Sequence, residues 1–184
     1  MLHHTGDTPF QLNIGTCNLT FSSTLLYFPS LGVKYEVALA IRRAAIVSIR
    51  GPKEASVHDM TVFRGGKTDQ KKEDWDKDSL YFLMEKVLGK KKKGVGDSGY
   101  GGEPDKIITT NEFHSKEMKQ FLARVKNRGE SVFIRFKSFN VLRNRFRHGS
   151  STENKLKLHG FCTKAIAVIV QYDYENERPP FQVC

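Results

Sequence analysis

The sequence predicts an α/β domain, a mixed sheet flanked by helices, and three observations predict it. Strand-like alternation fills the first third of the chain, a clean helical period appears at residues 80–88, and helical periods recur from there to the end. With 184 residues and 39% hydrophobic content, the chain can bury one sizeable core and is read as a single domain over residues 1–184.

The elements follow in order. Phe10, Leu12 and Ile14 alternate with Gln11 and Asn13, the period of a strand with one buried face. Asn18 to Gly32 lacks a clean period and is expected to be an irregular connection with one short strand. Tyr35, Val37, Leu39 and Ile41 alternate again. Ala45, Val47 and Ile49 follow at the same spacing and end at Gly51 and Pro52, which predicts an antiparallel hairpin. Lys67 to Asp78 mixes charges densely around Trp75 and reads as a surface insertion. Leu80, Leu83, Met84, Val87 and Leu88 give an amphipathic helix, capped by Asp78 or Ser79 and stopped by Gly89. Val95 to Tyr100 and Lys106 to Thr110 read as short strands around a turn at Gly101 to Pro104. Met118, Phe121, Leu122 and Val125 form a helix behind Ser115, expected to break at Gly129. A second helical run carries Phe133, Phe136 and Phe139 towards Phe146. The segment from Phe161 to Tyr174 suits a strand by its β-branched residues and a helix by its spacing, and helix is the expectation.

Composition excludes several classes. The longest apolar run, Ala165 to Val170, falls far short of the roughly 18 residues a membrane helix needs. Met1 to Asp7 has no apolar block of signal-peptide length, so residence inside the cell is expected. Cys17, Cys162 and Cys184 are far apart, which argues against a disulfide framework or a zinc site. The charge is uneven. Between Lys116 and Arg147 lie ten basic residues against Glu117 and Glu130, a net +8 of the chain's +10. Such a segment neutralises phosphates and releases their counterions, which makes nucleic acid the natural partner class. The same charges also suit a solvated helix face. The run from Lys90 to Lys93 suits a localisation signal or a phosphate contact, and reads first as a flexible loop.

Gly94 to Gly102 (GVGDSGYGG) invites three readings. A dinucleotide loop needs a strand before it and a helix opening at its last glycine, and the context offers neither. GDSG also resembles a serine-protease nucleophile loop, but His58 and Asp59 are adjacent and the chain is too short for two barrels. The third reading makes Asp97 a metal ligand. Two-metal nucleases gather carboxylates around paired divalent ions, and hard oxygen donors suit magnesium or manganese. Glu130, nearly alone among basic residues, is the second candidate, and it suits equally a salt bridge to Arg124, Lys126 or Lys137.

The stretches GDSGYGGEPDKI, NRGESVFIRFKSFNVLRNRFRHG and CTKAIAVIVQYDYENERPPFQV, with KYEVALAI and GPKEASVHDMTVFR upstream, resemble the catalytic domain of DDE-superfamily endonucleases of the Harbinger transposase type. The resemblance covers nearly the whole chain. It implies an RNase H-like fold, a nuclear location, and DNA cleavage by in-line attack with two ions, Mg2+ or Mn2+. It makes Asp97 the second catalytic acid and Glu130 the third, with Lys137, Arg143, Arg145 and Arg147 on the DNA. The family's first acid falls at Gly6 if Phe10 and Leu12 set the register, and Asp7 stands one residue along. A one-residue slip along a strand turns a side chain to the other face. Glu36 and Asp59 are fallback acids, Asp59 with an expected role in capping a helix. The upstream DNA-recognition helices usual in the family are absent from this sequence. The expectation is therefore a fragment or a decayed copy, with target recognition supplied by a partner subunit. A host-adapted nucleic-acid-binding protein that keeps the fold without cutting is the competing reading.

Overall fold

The computed structural model describes residues 19–20, 32–88, 93–110, 114–144, 146–176 and 178–179. The expected strand from Phe10 to Ile14 lies outside them, as do Gly6, Asp7, Gly89, Arg145, Cys17, Cys184 and most of the run ending at Lys93. The domain is α/β. Strands β1 (Leu19–Thr20), β2 (Val33–Ala40) and β3 (Ile46–Glu54) form an antiparallel sheet in that order, and β4 (Gly94–Val95) pairs in parallel with β5 (Ile107–Ile108). β4 lies next to β1. The helices are α1 (Asp59–Arg64), α2 (Leu80–Leu88), α3 (Lys116–Ser138), α4 (Asn140–Arg143) and α5 (Thr152–Glu175).

β2 is the centre of the molecule. Alternation at Tyr35, Val37 and Leu39 predicts one buried face, yet all eight residues of β2 are buried. Tyr35, Val37 and Leu39 meet Val132, Phe133 and Phe136 of α3, Leu142 of α4, and Ile166 and Val170 of α5. On the opposite face Ala38 packs with Met60, Phe63, Leu80, Met84 and Tyr100. Two helical layers therefore close on one strand. Lys34 and Glu36 also belong to that second face, so both are buried charges that require partners.

β3 does not stop at Gly51 and Pro52 but runs to Glu54. It crosses them because Gly51 adopts φ +135° and has no side chain; a Cβ there would stand 2.6 Å from Tyr35 Cδ1. The pairing register shifts at this level, between Lys34 and Glu36.

Residues 94–110 hold less strand than their composition suggests. Only Gly94–Val95 and Ile107–Ile108 pair, and Ser98–Tyr100 is a 3-10 turn instead of the end of a strand. The insertion at 67–78 is largely exposed and contains one short 3-10 turn, Lys72–Asp74. α2 opens through the Ser79 carbonyl, which accepts from Leu83 N, in place of a side-chain cap. Ser115 caps α3 as expected, its hydroxyl accepting from Met118 N at 3.2 Å. Gly129 does not break the helix: α3 is continuous for 23 residues and Gly129 is buried within it. The ambiguous segment after Phe161 is helical, and α5 begins nine residues earlier, at Thr152.

Candidate active site around Asp97 and Glu130

Asp97 stands two residues past the end of β4 and caps the 3-10 turn that follows, its Oδ1 accepting from Gly99 N at 3.0 Å. Oδ2 has no hydrogen-bond partner among the described residues. The turn is anchored by Tyr100, fully buried, whose hydroxyl donates to Glu36 Oε1 at 3.2 Å and whose ring meets Phe63 edge-on. The glycines here serve close packing. A Cβ on Gly99 would stand 2.5 Å from Asp59 Oδ2 and 3.2 Å from Asp97 Oδ1, so Gly99 separates two carboxylates with no room for a side chain.

Asp59 is the acid that neighbours Asp97. It opens α1 without capping it: His58 is the N-cap, its Nδ1 accepting from Met60 N at 3.2 Å. Asp59 Oδ1 instead receives Lys34 Nζ at 2.8 Å, which neutralises a lysine that is only 4% exposed. Burial raises the Asp97 pKa above its ordinary value, the Gly99 N–H opposes this, and repulsion from Asp59 adds to it. Lys126 and Lys34 pull it back down. The carboxylate that perturbs Asp97 is thus Asp59, a fallback acid in the sequence, and not Glu130.

Glu130 is presented from the middle of α3, half exposed, with Lys126 one turn before it at 4.0 Å. Ile134 and Lys137 follow on the exposed side of the helix, as the spacing predicts. Lys126 thus acts electrostatically on both acids: it attracts Asp97 and pairs with Glu130. Of the three salt-bridge partners the sequence offers Glu130, the structure selects Lys126.

Glu36, a fallback first acid, is not available as a ligand. It is 1% exposed, hydrogen-bonded by Tyr100, and 3.7 Å from Arg50, which also binds Asp76 at 2.5 Å. Burial pushes its pKa up to about 7, against the pull of Arg50 and the Tyr100 hydrogen bond. Among the described residues no group of three or more His, Cys, Asp or Glu side chains stands where it could hold a metal ion.

The basic segment divides in two. Lys116, Lys119, Arg124, Lys126, Lys137, Arg143 and Arg147 are exposed. Arg128 is buried, its guanidinium donating to the carbonyls of Ile41 and Arg43 at the turn between β2 and β3. Arg135 lies over the Tyr174 ring at 4.8 Å and donates to the Arg178 carbonyl at 2.6 Å. Two of the nine described cations of this segment thus hold the fold together.

No helix among the described residues is long and apolar enough to cross a membrane. In comparisons with protein-family models, curated proteins and solved structures, none matches the chain.

Proposed function

We propose that the chain is the catalytic domain of a DDE-type, divalent-metal-dependent DNA endonuclease derived from a transposase and acting in the nucleus. The observation that carries the reading is the placement of the two acids: Asp97 just past a strand end, and Glu130 on a long helix whose Lys126 pairs with Glu130 at 4.0 Å and attracts Asp97. The strand arrangement supports an RNase H-like fold. Three antiparallel strands lead through β1 to a neighbouring parallel pair, giving the spatial sequence β3, β2, β1, β4, β5.

Asp97 and Glu130 would hold Mg2+ or Mn2+ through hard carboxylate oxygens, with Asp7, outside the described residues, as the third donor. The chemistry a divalent pair supplies when bound is activation of the attacking hydroxyl and stabilisation of the leaving oxygen. The chain's own residues bind and orient. Exposed Lys137, Arg143 and Arg147 neutralise backbone phosphates, with Arg145, outside the described residues, as the fourth member of the expected set, and α3 carries Glu130. Lys126 pairs with Glu130, and a phosphate arriving at the site would compete for it.

That same Lys126 favours the second reading, a fold-preserving nucleic-acid-binding protein without cleavage, because its ammonium already pairs with Glu130. Supercoiled plasmid incubated with manganese or magnesium, with and without chelator, tests the two. Nicking that requires metal and is lost in Asp97→Ala supports the nuclease; retarded plasmid that stays supercoiled under every condition supports the binding protein.

A further inference from the structure

We infer that α5 is the interface of a homodimer in which two copies pack their α5 helices antiparallel through an outer apolar seam. α5 carries apolar residues on two faces. Ile166, Ala167, Val170 and Tyr174 on the inner face are buried against the sheet and α3. Leu158, Phe161, Ala165, Val168 and Tyr172 recur at steps of three and four residues, the a and d spacing of a coiled-coil seam. At about 100° per residue this second stripe centres on the side of the helix facing away from the core. All five residues are exposed, Phe161 57%, Val168 70% and Tyr172 65%, and Ile169 beside them is 47% exposed. A helix that packs only against its own core has polar residues there, and a continuous apolar stripe of this kind marks an association surface.

The charges of α5 select the occupant. Lys157 and Lys164 lie in its first half, Asp173 and Glu175 in its last few residues. Two copies related by a two-fold axis and running antiparallel bring the basic half of each against the acidic end of the other; parallel packing would set like against like. Lys157 and Glu175 fall on the same flank of the seam, so each copy's lysine faces the other's glutamate, which Gln171 already holds at 2.7 Å. The seam is self-complementary in size too. Centred between Ala165 and Val168, the pairing sets Phe161 of one copy on Tyr172 of the other, and the small Ala165 lets the two axes approach closely. From Leu158 to Tyr172 the seam is about 21 Å long, four helical turns. This is smaller than a standard interface, so a dissociation constant on the order of micromolar is expected.

Sedimentation velocity of the full chain without DNA, from well below to well above that concentration, tests the inference independently of any nuclease activity. The parent should pass from monomer to dimer. Phe161→Glu with Val168→Glu should stay monomeric throughout with an unchanged melting temperature, since neither side chain enters the core. Should that variant aggregate, Tyr172→Ser serves and should weaken the dimer by about tenfold. Lys157→Glu and Glu175→Lys should each weaken it about fivefold, and the two together should restore it. A parent monomeric at the highest concentration, whether its seam is open or covered by another segment of its own chain, would overturn the inference. So would a dimer that survives Phe161→Glu with Val168→Glu, or a double charge reversal that fails to restore association.

Discussion

Tyr100 donates its hydroxyl to the buried Glu36 carboxylate at 3.2 Å, and so ties the turn behind Asp97 to the central strand β2. Tyr100 has no exposed surface and Glu36 only 1%, so this contact and the nearby Arg50 are what compensate a charge in the core. Removing the hydroxyl would strand the carboxylate and loosen the position of Asp97 together.

The stability of the domain should fall as pH rises towards neutrality because of Glu36. Its folded pKa, about 7, lies above the ordinary 4.5, so the native state holds the proton more tightly than the unfolded chain. Below the lower value the carboxyl is neutral in both states and costs nothing. Between the two values the unfolded chain ionises first, and above the folded value the full cost, about 3 kcal/mol, is present. His159 runs the other way: burial lowers its pKa, so its contribution is lost as pH falls. Glu36→Gln leaves His159 untouched. The melting temperature of Glu36→Gln minus that of the parent should therefore widen from about pH 5 to about pH 8. A difference that does not change with pH would remove Glu36 as the cause.

The Gly65 turn should tolerate no side chain. Gly65 ends α1 at φ +76°, and a Cβ would stand 2.7 Å from Asp76 Cβ and 2.8 Å from Ser79 Cβ. Gly65→Ala should lose about 2 to 3 kcal/mol through left-handed strain and crowding. Urea titration should show a lower midpoint at unchanged slope.

Asp97→Ala or Glu130→Ala should abolish metal-dependent nicking and leave DNA affinity equal or slightly higher, since each removes a negative charge near the phosphate track. Calorimetric titration with manganese should show weaker binding in Asp97→Ala, and in Asp7→Ala as well if Asp7 is the third donor. Equal affinities in the parent and Asp7→Ala would leave the site with two acids.

DNA binding should be strongly salt-dependent. Reversing Lys137, Arg143 and Arg147 to Glu should reduce the slope of log affinity against log salt by about 2.7, at about 0.9 per phosphate contact. A full slope in that variant would place the track elsewhere on the surface.

The sequence conveys this fold best where period and packing agree. Helical spacing found α2 and α5, and alternation found Tyr35, Val37 and Leu39 of β2. Alternation cannot show that a strand is covered on both sides, because Lys34 and Glu36 read as outward-facing; only their partners Asp59, Tyr100 and Arg50, from distant parts of the chain, allow them to be buried. Gly51 and Gly129 read as element ends for a similar reason. Gly51 is required by its positive φ and its contact with Tyr35, and Gly129 is buried within a continuous helix, so neither marks an end. In the candidate site, Asp97 and Glu130 stood out by chemistry and context. Asp59's place beside Asp97 and Lys126's influence on Asp97 depend on how α1 and α3 dock, which local sequence does not encode.

The unbroken run of α3 from Ser115 to Phe139 acts as a gauge. One residue inserted between Ser115 and Arg128 would turn everything beyond it by about 100° about the helix axis. Val132, Phe133 and Phe136 would rotate out of the core, and Glu130 would swing to another side of the domain. The segment can therefore absorb exchanges of side chain far more readily than any change of length. Insertions and deletions among descendants of this sequence should fall at 67–78, where the backbone is exposed and the phase of no helix depends on the count.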